Sequence, residues 1–242
     1  MNIIKTPANW REVFASKKSQ NLGNGMFSPA LKYETDRIYL FGAPSGFGKT
    51  FIACGEAVHF ASRGYKTLYI HTEMSTGSVF FDRFSHCADL DKAIANLDTC
   101  EINMLKEINE EIDPYQVIVL DYVSNGALDG DDTSHTNLSR YMKTLDSYRK
   151  AHPDKMILVY AQLGEQLNQR GDVLNYVFED CHNMKRSVDA CFMLTPHEEK
   201  GKKDSILVKC TKDRNLDWKG VQGENYEYYF SRATCTLTGK NI

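Results

Sequence analysis

Lys49 and Thr50 close the run Ala43-Pro44-Ser45-Gly46-Phe47-Gly48-Lys49-Thr50, set between a short apolar stretch, Ile38 to Phe41, and a helix-like pattern that runs on to Ser62. This is a P-loop with Ala43 where the strict pattern has glycine. Gly46 and Gly48 allow the backbone to curl so that its N–H groups point inward at phosphate oxygens. Lys49 adds a mobile positive charge for the outer phosphates, and the Thr50 hydroxyl is a ligand for Mg²⁺. The following helix aims its positive end at the same phosphates. A glycine turn with an exposed lysine is the plain alternative, but the strand before and the helix after favour a nucleoside triphosphate site.

Three further polar residues stand where apolar runs stop. Gln116-Val-Ile-Val-Leu-Asp121-Tyr122 places Asp121 after four aliphatic residues, the shape of a buried parallel strand whose terminal carboxylate faces a P-loop and helps hold Mg²⁺. Lys66-Thr-Leu-Tyr-Ile-His71 is a second such strand, followed by Thr72-Glu73-Met74. Ligands bind at the carboxyl ends of strands in open α/β sheets, so Glu73 is the candidate to polarise an attacking water. Lys155-Met-Ile-Leu-Val-Tyr-Ala161 is a third, with Gln162 at its end, where a neutral amide can sense a terminal phosphate. Lys212-Asp-Arg214-Asn215 forms a charged turn between two late strands.

The elements that must position these groups follow from periodicity. Thr6 to Lys17 reads as a short capped helix with Trp10, Val13 and Phe14 on one face. Asn21 to Pro29 reads as a linker, giving an N-terminal helix and linker over 1–36 and one large α/β domain over 37–242. Ser75 opens a helix through Phe80, Phe81 and Phe84. Residues 88 to 113 are helical in character and end in an acidic run. Leu138, Tyr141, Met142, Leu145 and Tyr148 make one helical stripe. Leu163 to Val177, carrying Arg170, reads as a long loop. Ala190 to Leu194 is a strand, and Ser205–Cys210, Tyr226–Phe230 and Thr234–Thr238 are strands of a C-terminal hairpin or meander.

Composition sets limits. The 242 residues are 42% hydrophobic and 25% charged with a net charge of −3, so any contact with nucleic acid must come from a local patch. Seven cysteines without a CxxC pair indicate reduced thiols of a cytoplasmic protein, not a zinc knuckle or a disulfide framework. No apolar run reaches membrane-spanning length, so no membrane partner is expected.

With these pieces in order, the sequence from about Arg37 onward resembles the DnaB-type replicative helicases of the RecA-like ATPases. The P-loop, Thr72-Glu73-Met74, Val119-Leu-Asp121-Tyr122, Ser139 to Leu145, Ala161-Gln162-Leu163 running on to Gln169-Arg170, Asp189 and Lys212-Asp-Arg214-Asn215 each resemble a segment of that family. The resemblance implies a RecA-like P-loop NTPase with a largely parallel central sheet and C-terminal antiparallel strands, using ATP and Mg²⁺. It implies a ring or filament that translocates on single-stranded DNA, with a replication partner protein and a phage or other mobile-element setting. It also implies that Lys212 and Arg214 reach a neighbouring subunit's nucleotide. Two departures stand out. The family's larger N-terminal domain is replaced by residues 1–36, and Glu179-Asp-Cys-His182 lies where the family grips DNA phosphates, which carboxylates repel. A RecA-group recombinase and an ATP-switched loader or assembly factor are the alternative readings.

Overall fold

The computed structural model describes residues 19–72, 76–101, 112–123, 134–167, 173–178, 184–197, 204–215, 217–220 and 222–239. The helix expected over Thr6 to Lys17, Glu73, Arg170, the Glu179 to His182 run and the Lys200 to Lys203 turn lie outside them.

The apolar runs read from the sequence become the centre of one sheet. Strands β3 (Arg37–Pro44), β4 (Thr67–His71), β5 (Leu97–Glu101), β6 (Val117–Val123), β7 (Met156–Leu167) and β9 (Ala190–Pro196) lie parallel in the order β9-β3-β7-β6-β4-β5. Strands β10 (Ser205–Asp213), β11 (Asn225–Ser231) and β12 (Thr236–Gly239) extend the β9 side antiparallel, as expected for the C-terminal segment. Both faces are covered, so successive residues of one strand enter different cores, which is why these strands are apolar without alternation. Tyr39, Phe41, Val119, Leu158 and Tyr160 pack on one face, with helix α1 (Lys49–Ala61) over it. Ile38, Leu40, Ile118, Ile157 and Val159 pack on the other, with Tyr141, Met142 and Leu145 of a later helix, Ser134–Ala151.

An aromatic row crosses the sheet beneath α1. Phe41 is in register with Tyr160 of β7 and Phe192 of β9, and its ring stacks on theirs at 5.3 and 5.2 Å. Phe27 stacks on Phe41 at 5.0 Å from above. Helix α1 approaches closely through small residues. A side chain at Gly55 would meet the Cys235 carbonyl at 2.3 Å, so glycine is required there.

The structure corrects four readings. The stretch expected as a linker, Asn21 to Pro29, contains β1 (Asn21–Asn24), which pairs with β2 (Lys32–Glu34). Leu22, Phe27, Leu31 and Tyr33 from this region lie in the core beside α1. Its glycine, asparagine and serine content marks real turns, but the apolar residues between them are buried anchors. Residues 88 to 113, expected as helical, hold only short helical pieces and then the edge strand β5 among the described residues. Its sequence Leu-Asp-Thr-Cys-Glu is half exposed and lacks an apolar run. Leu163 to Val177, expected as a loop, is largely strand: β7 continues to Leu167 and pairs antiparallel with β8 (Val173–Phe178). Lys212, expected in a turn, sits within β10 opposite Cys191.

Among the described residues no helix is long and apolar enough to cross a membrane.

Candidate nucleotide site

The loop between β3 and α1 has the backbone that its sequence calls for. Gly46 and Gly48 have φ of +69° and +104°, the left-handed region, and Gly48 is the helix N-cap. A β-carbon at Gly48 would also meet the Phe230 ring at 3.2 Å. With glycine at the cap, no side chain among the described residues caps the first turn of α1. The cap positions of a helix start leave N–H groups for an acceptor, and a phosphate suits them. Ala43 and Pro44 are the last residues of β3, Ser45 and Gly46 are exposed, Phe47 packs on the core edge, Lys49 is buried and Thr50 half-buried. The curl thus sits at the surface while its lysine and threonine are anchored in the first turn.

Asp121 comes from β6, two strands away. It is level with His71 on β4, and the β6–β7 register slips between Leu120 and Val123, so Asp121 lies where pairing is interrupted. Such irregularities re-aim side chains at strand ends. It is 5% exposed, and its Oδ2 accepts a hydrogen bond of 2.5 Å from the Tyr69 hydroxyl. Gln162 pairs with Ala43 in the β3–β7 register and is half-buried, so the amide stands beside the residue that opens the P-loop. It does so in mid-strand, because β7 runs five residues further, to Leu167. β4 delivers the chain to Thr72, one residue before Glu73. Lys49, Thr50, Asp121 and Gln162 therefore gather at the carboxyl edge of the parallel sheet.

Lys212 and Arg214 do not join them. Asp213 pairs with Ala190, which pairs with Tyr39, and Arg214 N–H donates to the Asp189 carbonyl. Both basic residues therefore lie at the starting end of β3. That is about 20 Å from the P-loop at ~3.3 Å per strand residue. The Lys212 ammonium donates to the carbonyls of Lys185 and Val188, the latter at 2.6 Å, and Arg214 Nη2 donates to that of Arg186 at 2.7 Å. Burial, and then the neighbouring Arg214 charge, hold Lys212 below the usual lysine range. Asp189 also sits at this end, its Oδ2 accepting from Ile38 N–H at 2.9 Å.

Some residues near the site carried no sequence signal. A cavity of about 380 Å³ opens beside the P-loop, lined by Pro44, Phe47, His197, Asp204, Phe230 and Arg232 among others. Arg232 Nη2 lies 3.4 Å from the Phe47 carbonyl. Only the folding of β11 onto the P-loop brings these together, so spacing along the chain could not reveal them. Tyr69 is the other omission.

The donor set fits a magnesium nucleotide: a left-handed glycine loop with amides to spare, an anchored lysine and threonine, and a buried carboxylate at an adjacent strand end. Among solved structures, the ATPase domain of a DnaB-like helicase is similar over 86% of this chain and 86% of its own, with a TM-score of 0.67 at 14% identity. The fold is RecA-like. A KaiC-like protein, PH0186 from Pyrococcus horikoshii OT3, is similar over 93% of this chain and 99% of its own, with a TM-score of 0.66 at 12% identity. No protein-family model matches the sequence, and none of the curated proteins does. The RecA-like fold, with its parallel sheet and antiparallel C-terminal strands, agrees with the architecture expected from the sequence.

Proposed function

We propose that this chain is an ATP hydrolase that works as an assembly on single-stranded DNA, the ATPase core of a helicase. The observation that carries the reading is the gathering of Lys49, Thr50, Asp121 and Gln162 at one sheet edge, next to the left-handed loop of Gly46 and Gly48. In this reading the loop amides and Lys49 hold the β- and γ-phosphates, and Thr50 and Asp121 hold Mg²⁺, which supplies charge neutralisation of the phosphates when bound. Glu73 orients the attacking water. Gln162 faces the terminal phosphate and passes its loss to the β7–β8 hairpin, of which it is a part. The cavity between the P-loop and β11 has room for the nucleoside.

Two observations bear on DNA. The β7–β8 hairpin continues beyond the P-loop edge, since Pro44 pairs with Leu163 and β3 ends there. A projecting hairpin coupled to Gln162 suits a strand-contacting element. The similarity to the DnaB-like helicase ATPase domain supports the same reading. A second reading, an ATP-switched loader or assembly factor, is favoured by the net charge of −3 and by the carboxylates Glu179 and Asp180. A recombinase shares the nucleotide chemistry but forms open filaments.

Electron microscopy of the protein with a nonhydrolysable ATP analogue, with and without single-stranded DNA, separates the three. Closed rings on DNA support the helicase reading, and extended filaments the recombinase. Assembly and ATPase rate that ignore DNA at low salt overturn both in favour of the loader.

A further inference from the structure

Asp121 is held by more than its own strand. Tyr69 lies on β4, two residues before the strand ends, and is fully buried. Its ring is fixed edge-on against Phe84, with centroids 5.0 Å apart, and leans on His71 at 6.1 Å. The hydroxyl reaches one strand over and donates to Asp121 Oδ2 at 2.5 Å. That distance is at the short end for a hydroxyl on a carboxylate, where such bonds are roughly twice as strong as neutral ones. Burial, and then the Asp121 charge, push the phenol well above its usual range, so it remains a donor at any working pH. The Cys54 thiol of α1, five residues past Lys49, shares a hydrogen bond with the same hydroxyl. The P-loop helix and the carboxylate are thereby joined through one phenol.

We propose that Tyr69 is a positioning residue for the metal site, its hydroxyl holding the Asp121 carboxylate in the orientation that serves Mg²⁺ beside Thr50. This rests on the nucleotide-site reading above. The physical argument is that a carboxylate with two χ angles, placed where sheet pairing is interrupted, has neighbouring rotamers within reach. One strong bond from a ring that cannot itself move removes them. A competing effect is that the donor drains charge from the carboxylate and weakens it as a ligand. Loss of such outer partners typically costs ~10–100-fold in metal affinity, so orientation outweighs charge. A hydrogen bond serving only the fold would change stability and leave the metal dependence alone.

The test is binding of a fluorescent ATP analogue to the full chain across a Mg²⁺ series, with thermal midpoints measured alongside. Tyr69→Phe keeps the ring and removes only the donor. It is expected to raise the Mg²⁺ concentration at half-saturation about tenfold, the low end of the range for such partners. In an Asp121→Asn background the same change should leave the Mg²⁺ midpoint where it is. Cys54→Ala leaves the hydroxyl–carboxylate bond in place and should keep the wild-type midpoint. An unchanged midpoint in Tyr69→Phe overturns the proposal, as does an equal shift in the Asp121→Asn background or in Cys54→Ala. Wild-type protein that binds no nucleotide in a Mg²⁺-dependent way refutes the site reading instead, which keeps the two failures apart.

Discussion

At the scale of single residues, the P-loop helix carries a carboxylate that the nucleotide chemistry does not use. Glu56 is fully buried, accepts from the Tyr33 hydroxyl at 2.7 Å and from Met26 N–H at 3.2 Å, and leaves Oε2 without a partner among the described residues. Burial raises it to about 7, against hydrogen bonds that lower it. Between pH 4.5 and 7 the unfolded chain releases this proton while the folded one keeps it, so stability falls as pH rises through that window and levels off above it. The full effect is about 3 kcal/mol at roughly 1.36 kcal/mol per unit. Urea midpoints measured from about pH 4.5 to 8 should decline in the wild type and flatten in Glu56→Gln. Only a smaller slope should remain there, from Asp217, which burial raises to about 6. Catalytic variants separate by step. Lys49→Ala should abolish hydrolysis, and Glu73→Gln should keep ATP binding while losing turnover; parental turnover in Glu73→Gln would remove the water-orienting role. Residues in contiguous motifs, such as Lys49 and Thr50, are legible in a sequence because their chemistry depends on local spacing. Tyr69 is not, because its partner Asp121 is 52 positions away and only strand register joins them.

At the scale of elements, legibility followed burial on both sides. β3, β6 and β7 are apolar in every turn of the pleat because helices cover both faces, and such runs announce themselves. β5 is an edge strand with alternating polar residues in a five-residue span, and nothing in Leu-Asp-Thr-Cys-Glu competes with a helical reading. The β1–β2 hairpin was hidden differently. Leu22, Phe27, Leu31 and Tyr33 are spaced without a single period, yet each is buried at 2% or less. Tyr33 meets Phe60 of α1 edge-on at 5.3 Å, and Tyr228 donates to the Phe27 carbonyl at 3.0 Å. The hairpin is therefore part of the ATPase core. A shortened chain beginning at Arg37 should lose cooperative unfolding, since it strips the α1 face of its cover. Phe27→Ala in the full chain should cost about 3–5 kcal/mol, the usual range for a buried phenylalanine, read from denaturant midpoints. A loss under about 1 kcal/mol would mean that the hairpin is only loosely applied.

At the scale of the whole molecule, the two ends of the sheet divide the labour. The nucleotide groups gather at the carboxyl edge, and Lys212 and Arg214 brace the Met184–Arg186 turn at the other. Since they lie about six strand residues from their own P-loop, roughly 20 Å, any catalytic role must concern another copy's nucleotide. Arg214→Ala should then bind ATP but turn over slowly, by ~10³–10⁵ for a trans-acting guanidinium. Mixed with Lys49→Ala, which keeps its arginine, it should recover part of the activity, because some interfaces then combine a sound P-loop with a sound arginine. Failure to recover despite verified co-assembly, together with a lowered thermal midpoint of Arg214→Ala alone, would leave only the bracing role. The placement of β3 also has a mechanical side. It is hydrogen-bonded along both edges, to β7 over its whole length and to β9 over its middle. A load applied along it must strain those bonds together, in shear. The projecting β7–β8 hairpin instead can yield one bond pair at a time, like a zipper. Force arising at the P-loop would meet a stiff rod on one side and a compliant spring on the other, so displacement would concentrate in the hairpin.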